Sequence, residues 1–174
     1  MTTERVLSSI PKPLEPGGET DLLRPFHRDG TWSGHIRPGG MGPGTPAQTA
    51  VGRARHRWIQ GGQWVVGDYE QDQYLEDGTF VLKWELHWVC GWDAMSSEYK
   101  ATIADNYGRA AILRGRIEGD RMVFESMGEV LPRLRLTWEL EGGEVLWKNE
   151  MSLDGVDWVL VEDYVILPES RPLE

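Results

Sequence analysis

The sequence predicts an all-β protein, an up-and-down antiparallel barrel of about ten strands. Short segments that alternate apolar and polar residues recur along the chain, and no long stretch has the helical period. Turn-forming residues separate these segments, as at Asp77-Gly78 and Gly142-Gly143. A meander of this length must close on itself, because an open sheet would leave unpaired edges exposed.

The predicted strands occupy the chain in order, with a hairpin signal or loop between each pair. They cover residues 31–37, 48–59, 62–75, 79–92, 97–108, 109–118, 121–128, 133–140, 144–153 and 156–167. Residues 1–25 contain Pro11, Pro13 and Pro16 and are predicted to form a flexible or draped tail, with a short helical turn around Leu22 to His27. Residues 26–168 then form a ligand-binding barrel domain, with a Gly/Pro loop over 38–47 at its mouth.

Charge and composition disfavour several classes of partner. The net charge is −10, so phosphate backbones and anionic membranes repel the chain. No segment has the roughly 18 apolar residues of a membrane helix, and the N-terminus lacks an apolar signal-peptide core. The one cysteine, Cys90, cannot form an internal disulfide, which fits a reducing compartment. We therefore expect a cytoplasmic protein without nucleic-acid or membrane partners.

Alternation along the strands assigns residues to the inner and outer faces. Arg53, Arg55 and Arg57 must face water, so the opposite side of the second strand, with His56 and Trp58, faces inward. The remaining inward positions of that strand are small, namely Ala50, Gly52 and Ala54. These small residues indicate open space inside the barrel, enough for one small ligand.

Three more strands contribute to the predicted lining. On the fourth strand one face carries Phe80, Leu82, Trp84, Leu86, Trp88, Cys90 and Trp92. On the last strand one face carries Trp158, Leu160, Glu162, Tyr164 and Ile166, and on the strand before it Val145, Trp147, Asn149, Met151 and Leu153 share a face. The predicted interior is therefore aromatic, with a few polar groups: His56, Asn149 and Glu162.

Three stretches carry a resemblance to a known family. They are "GTWSGHIRPGGMGPGTPA" (30–47), "GWD" (91–93) and "YKATIADNYG" (99–108). They resemble an uncharacterised bacterial family of lipocalin-like barrels, a domain-of-unknown-function family, and the similarity runs from about Phe26 to Leu167. The "GTW" opening is similar to that of the wider calycin group, which includes lipocalins, fatty-acid-binding proteins and nitrobindin-type haem barrels.

This resemblance implies a calycin-type barrel with an internal apolar cavity. It places His87 and Asp105 at positions where members often carry His and Asp. The family's glycines around that histidine are replaced here by Leu86 and Trp88, which crowds the wall. The nitrobindin-type haem ligand is a histidine near the chain's end, and this chain has no histidine after His87, which weakens a haem assignment.

Metal and nucleophilic chemistry find little support. The histidines His27, His35, His56 and His87 lie far apart in sequence, without zinc-motif spacing, and Cys90 is predicted to be a small buried thiol. We predict no metal and no cofactor.

Acid–base chemistry has three candidate groups. His56 faces inward and has a reference pKa near 6.5, and Glu162 or Asp105 could act with it or alone; Asp68 and Glu70 are further candidates to orient it. The alternatives are structural: a satisfied buried histidine for His56, an arginine partner for Glu162 and turn capping for Asp105. The candidate ligand-binding residues are Trp58, Trp84, Trp88, Tyr69, Asn149, Trp158 and Tyr164.

The function predicted from these features is binding of a small apolar or aromatic organic molecule inside the barrel. Cofactor-free cyclisation, isomerisation or dehydration of that molecule would be the accompanying chemistry if the protein is an enzyme. The alternatives are a passive carrier or sensor, a haem barrel, or an interaction scaffold with a filled core. Whether the protein forms a homodimer is left open by the sequence, because the outer faces of the strands are not firmly assigned.

Overall fold

The computed structural model describes residues 14–129 and 131–169, and within them ten strands form a closed antiparallel barrel. A short helix, α1 (Gly18–Asp21), and a 3-10 turn (Arg24–Phe26) precede the strands. The strands are β1 (Gly30–Ile36), β2 (Gln48–Ile59), β3 (Trp64–Tyr74), β4 (Phe80–Asp93), β5 (Glu98–Asp105), β6 (Ala110–Glu118), β7 (Arg121–Ser126), β8 (Arg133–Glu141), β9 (Glu144–Ser152) and β10 (Val159–Pro168), with a 3-10 turn (Gln60–Gly62) between β2 and β3. In these parts of the chain no helix has the length and apolarity needed to cross a bilayer.

Each strand pairs with its neighbours in sequence, and the last strand pairs with the first. Gly30 faces Pro168 and Ile36 faces Glu162 across the β1–β10 seam. The predicted fold class is therefore confirmed. The predicted hairpins are confirmed as well, since glycines with positive φ occupy turns such as Gly78 (84°) and Gly143 (93°).

The two ends of the barrel differ. We call the end where β2 finishes at Ile59 the base, and the end where β2 starts at Gln48 the mouth. The predicted helical turn before β1 is present and closes the base, with the side chains of Leu23 and Phe26 buried in the core. At the mouth, the loop 37–47 sends Met41 against the core. The remainder of the predicted tail, residues 1–13, lies outside the described residues.

The middle of the barrel is filled by an aromatic core that we define as Trp32, Tyr69, Trp88, Phe124, Trp138, Trp147 and Tyr164. The indoles of Trp138 and Trp147 stack with ring centroids 5.9 Å apart and an interplanar angle of 5°. Trp147 also meets Trp32 edge-on at 5.7 Å. These offset and edge-to-face contacts are the geometries that aromatic quadrupoles favour, and they hold the interior rigid.

Glycines in the wall make room for these rings. A methyl group at Gly52 would lie 2.3 Å from the indole of Trp32, and one at Gly115 would lie 2.4 Å from the ring of Phe124. The expectation that the small residues of β2 leave open space is therefore wrong at Gly52, because the Trp32 indole occupies that position. The glycines serve aromatic packing there, and space for a ligand must be sought at the two ends.

The predicted facing is confirmed on β2 and from Leu82 onward on β4. It is wrong at Phe80, which is 55% exposed beyond a register shift between β3 and β4, and at the start of β10. Arg53, Arg55 and Arg57 are exposed, whereas the alternate residues of β2 are buried or half-buried. On the last strand the register shifts between Leu160 and Glu162, so one extra residue breaks the alternation. Trp158 precedes β10 and stacks on Arg135, an outward-facing residue, at 3.9 Å. It does not share a face with Glu162.

Candidate functional site

The structure divides the predicted site residues between the two ends of the barrel. Glu162 lies near the mouth at the same height as Gln48, because Ile36 of β1 pairs with Glu162 on one side and with Gln48 on the other. His56 lies eight residues further along β2 than Gln48, about 26 Å at the rise of about 3.3 Å per residue of a strand. His56 and Glu162 therefore do not form a catalytic pair.

At the mouth, polar side chains from β9 and β10 and from β2 and β3, on either side of β1, point into the barrel. We call them the mouth cluster: Gln48, Gln73, Trp147, Asn149, Glu162 and Tyr164. The amide of Asn149 donates to the Glu162 carboxyl with Nδ2 and Oε2 2.5 Å apart. The structural alternative predicted for Glu162 was an arginine partner such as Arg114, Arg133 or Arg135. The hydrogen-bond partner found in the structure is the amide of Asn149 instead.

Five atoms of the mouth cluster are buried without a hydrogen-bond partner. They are Gln48 Oε1, Gln73 Oε1, Trp147 Nε1, Asn149 Oδ1 and the Tyr164 hydroxyl. The Tyr164 hydroxyl lies beside Glu162 and Gln71 without well-formed hydrogen-bond geometry to either. Gln71 is already engaged, since its Oε1 accepts from the Trp32 indole at 3.0 Å. Such orphaned polar atoms are rare in folded proteins, and each costs about 1–3 kcal/mol.

Burial sets the electrostatics of the mouth cluster. It raises the pKa of Glu162 above the ordinary 4.5, against the hydrogen bond from Asn149 that acts to lower it. Burial, together with the nearby Glu162 carboxyl, also raises the pKa of Tyr164. Burial in the cluster therefore disfavours ionisation of both groups compared with their ionisation in water.

Asp105 and Trp84 lie at the mouth rim. The Trp84 indole donates to Asp105 Oδ2 at 3.3 Å, and the Arg109 guanidinium donates to the same oxygen at 2.7 Å. The other oxygen, Oδ1, accepts from the backbone N–H groups of Tyr107 and Arg109, which is the turn capping considered as the alternative. Burial acts to raise the pKa of Asp105, but the hydrogen bonds and charge of Arg109 outweigh it, so this pKa is lowered.

At the base, two buried histidines meet. His27 receives a hydrogen bond on Nε2 from the Trp88 indole at 3.0 Å, and its Nδ1 contacts the Leu23 carbonyl at 2.9 Å. Because an indole N–H only donates, Nε2 is unprotonated and Nδ1 carries the proton. Burial, with the nearby His56, lowers the pKa of His27 to about 3. His27 is therefore a fixed neutral imidazole.

His56 packs edge-on against His27, with ring centroids 5.5 Å apart, and its Nε2 lies 3.0 Å from the Tyr69 hydroxyl. Its backbone N–H donates to Asp29 Oδ1 at 2.7 Å. Burial lowers the pKa of His56 to about 4, and the Asp29 carboxylate opposes that shift. Trp58 lies nearby, half-buried, with the Arg24 guanidinium 4.4 Å from its ring centroid.

The other acidic candidates for His56 face outward. Asp68 pairs with the exposed His87, and Glu70 pairs with Arg53 and Lys83. Sequence reasoning missed Gln48, Gln71 and Gln73, although their alternation with Ala50 and Tyr69 is the signal that would have found them. It also missed Asp29 and the contact of His27 with Trp88, because both depend on how the N-terminal turn docks.

A family model described as "Protein of unknown function (DUF1579)" matches residues 15–165. The chain belongs to the DUF1579 family. The matched range includes α1, the 3-10 turn that closes the base, His56 and the mouth cluster, so both candidate sites of the DUF1579 barrel lie within the family domain. No curated protein matches this DUF1579 chain.

Among solved structures, the chain is similar to one titled "Crystal Structure of Rv2717c from M. tuberculosis". The two share a TM-score of 0.62 and 14% sequence identity, and the likeness covers 90% of the DUF1579 chain and 100% of the other. At this identity the likeness shows a common barrel fold.

Proposed function

We propose that this DUF1579 protein binds a small uncharged organic molecule at the mouth of its barrel. One observation carries the proposal, the five partnerless polar atoms of the mouth cluster. A ligand that enters between them would supply the missing hydrogen bonds and recover part of the cost of burying these groups.

The chemistry of the mouth cluster supports an alcohol or amide head on an apolar body. Three of the five orphaned atoms are amide oxygens, which call for ligand donors, and the Trp147 N–H calls for an acceptor. A charged head would be costly beside Glu162, whose own ionisation burial already disfavours. Trp84 and Leu86, inward and half-buried, and Met41 of the loop 37–47 offer apolar contacts for the body of the ligand.

Entry requires the mouth to open, because the five atoms are buried. The loop 37–47 is suited to this movement. It carries Gly39, Gly42 and Gly44 at positive φ, and Met41 is its contact with the core. Displacing one methionine costs little compared with the hydrogen bonds that a ligand would form, and methionine adapts readily to new contacts.

We expect Tyr164→Phe to weaken ligand binding without weakening the fold. With 2-naphthol, an uncharged aromatic alcohol, as the probe, isothermal titration calorimetry should show about tenfold weaker binding, the loss of one hydrogen bond of about 1.4 kcal/mol. The free energy of unfolding should stay the same or rise by up to about 1 kcal/mol, because the change removes an orphaned hydroxyl. Tyr107→Phe, at an exposed tyrosine of the rim, is the matched control and should change neither quantity. Equal affinity of Tyr164→Phe and the parent, or no binding of 2-naphthol to the parent, would count against the proposal.

A second candidate function at the same site is proton transfer to the bound molecule, favoured by the raised pKa of Glu162. Carboxyl-labelled glutamate should show, by carbon NMR, that Glu162 titrates above the ordinary 4.5. Asn149→Leu should raise that midpoint further, because it removes the hydrogen bond that stabilises the carboxylate. Lys148→Leu, the neighbouring residue on the outer face, is the control. A midpoint at or below the ordinary value would remove Glu162 as a general acid and leave binding as the function.

A further inference from the structure

A second cleft lies at the base, at the opposite end of the barrel from the mouth cluster. Its volume is about 470 Å³, within the range of about 300–1,000 Å³ of small-molecule sites. The residues that line it include Arg24, Arg28, Asp29, His56, Arg57 and Trp58. The cleft therefore combines the most deeply buried titratable residue of β2 with an indole, three arginines and two carboxylates, those of Asp29 and Glu169.

His56 contributes a polar atom without a partner. Its side chain is only 4% exposed, and Nδ1 is buried beside the backbone of Arg28 without well-formed hydrogen-bond geometry to it. The nearest carboxylate oxygen, Asp29 Oδ1, is 3.9 Å from Nδ1, beyond hydrogen-bond distance. The negative charge on this side of the ring favours the proton on Nδ1, so that Nε2 accepts from the Tyr69 hydroxyl. His56 thus presents an unsatisfied N–H donor next to a carboxylate acceptor.

A donor and an acceptor at this spacing match the edge of an amide. The carbonyl of a carboxamide would accept from His56 Nδ1–H, and its N–H would donate to the Asp29 carboxylate. An ionised carboxylate accepts several hydrogen bonds, so Asp29 can keep the backbone N–H of His56 as well. A carboxylate ligand bonded to His56 Nδ1 would lie beside the Asp29 carboxylate, which repels it, although Arg24, Arg28 and Arg57 of the lining would attract it.

We infer that the base cleft is a binding site for a small planar carboxamide, held by His56 Nδ1–H and the Asp29 carboxylate beside Trp58. Access requires the rim to move, because Nδ1 is buried. The side chains of Arg24 and Arg57 can do so, since they are 49% and 58% exposed. This inference is independent of the function proposed for the mouth.

The test is an NMR titration of the full ¹⁵N-labelled chain with nicotinamide, using nicotinate as the matched probe in which a carboxylate replaces the amide. Nicotinamide should shift the signals of His56, Asp29 and Trp58 and bind about tenfold more tightly than nicotinate, a discrimination typical of one mispaired charge. Equal or tighter binding of nicotinate would mean that the arginines of the rim select anions, and would overturn the inference. No shift with either probe would mean that the cleft holds water only, and would overturn it too.

Two variants separate this site from a general effect on the fold. Asp29→Asn keeps an acceptor for the backbone of residue 56 but removes the charge, so the preference for nicotinamide over nicotinate should shrink. His56→Gln should weaken nicotinamide binding further, because it removes the imidazole donor. Tyr164→Phe, at the other end of the barrel, should leave nicotinamide binding unchanged. A failure of the base proposal can therefore be distinguished from a failure of the mouth proposal. An unchanged preference in Asp29→Asn would contradict the proposed role of the carboxylate.

Discussion

Replacing Trp88 by alanine is expected to cost about 3–5 kcal/mol of unfolding free energy, as for other buried large-to-small changes. Trp88 is 1% exposed and packs edge-on against Phe124, with centroids 5.2 Å apart, and against Trp138 at 5.4 Å. Its loss would open a cavity in the aromatic core and leave His27 Nε2 without its donor. Urea denaturation, followed by the circular dichroism of the strands, measures the effect as a lower midpoint.

Two further variants divide that cost between packing and hydrogen bonding. Trp88→Phe keeps an aromatic ring but removes the indole N–H, so it should cost less than the alanine variant and still leave His27 unsatisfied. Trp158→Ala, the same deletion on the outer surface, should cost about 1 kcal/mol or less, because it removes only half-exposed cation–π contacts with Arg135 and Arg133. Comparable losses for Trp88→Ala and Trp158→Ala would show that the interior rings do not form the stabilising core.

Acid is expected to destabilise the fold between about pH 6.5 and 4.5 through the two buried histidines. The folded chain holds the pKa of His27 at about 3 and that of His56 at about 4, against 6.5 for an ordinary histidine. Below pH 6.5 the unfolded chain therefore binds more protons than the folded one, and each histidine removes about 1.4 kcal/mol of stability per pH unit. Together they should lower the free energy of unfolding by about 3–5 kcal/mol by pH 4.5. Glu162, whose pKa is raised, acts in the opposite sense.

The dependence on pH is measured by urea denaturation at half-unit steps. His27→Gln and His56→Gln should each flatten the profile by about the contribution of one histidine. His87→Gln is the control, because His87 is exposed on the outer face and pairs with Asp68. A profile as steep in His27→Gln and His56→Gln as in the parent chain would assign the acid sensitivity to the carboxylates instead.

Most of the fold could be predicted from the sequence, because strand alternation and turn residues depend only on positions that are close along the chain. Alternation identified the faces of β2 and β4, and glycine turns identified the hairpins. Phe80 and the start of β10 were exceptions, since register shifts between Gln73 and Tyr74 and between Leu160 and Glu162 break the alternation and leave no mark in the pattern. Trp158 was therefore placed inside when it lies outside.

The candidate site was predicted less well, because it depends on contacts between distant strands. The sequence identified His56, Asn149 and Glu162 as inward polar groups, but their separation along the barrel depends on strand register. The expected space beside Gly52 was misjudged for a similar reason. A glycine in a wall equally permits a cavity or a facing ring, and only the position of Trp32 decides between them.

The seam between β1 and β10 has a consequence for how the chain is made. All other strand pairs join neighbours in sequence, so these strands can pair as hairpins during translation. The seam joins Gly30 to Pro168, and the ring stays open until the last strand has left the ribosome. Until then a curled sheet presents two bare edges, and any delay at that stage exposes it to pairing with another nascent copy.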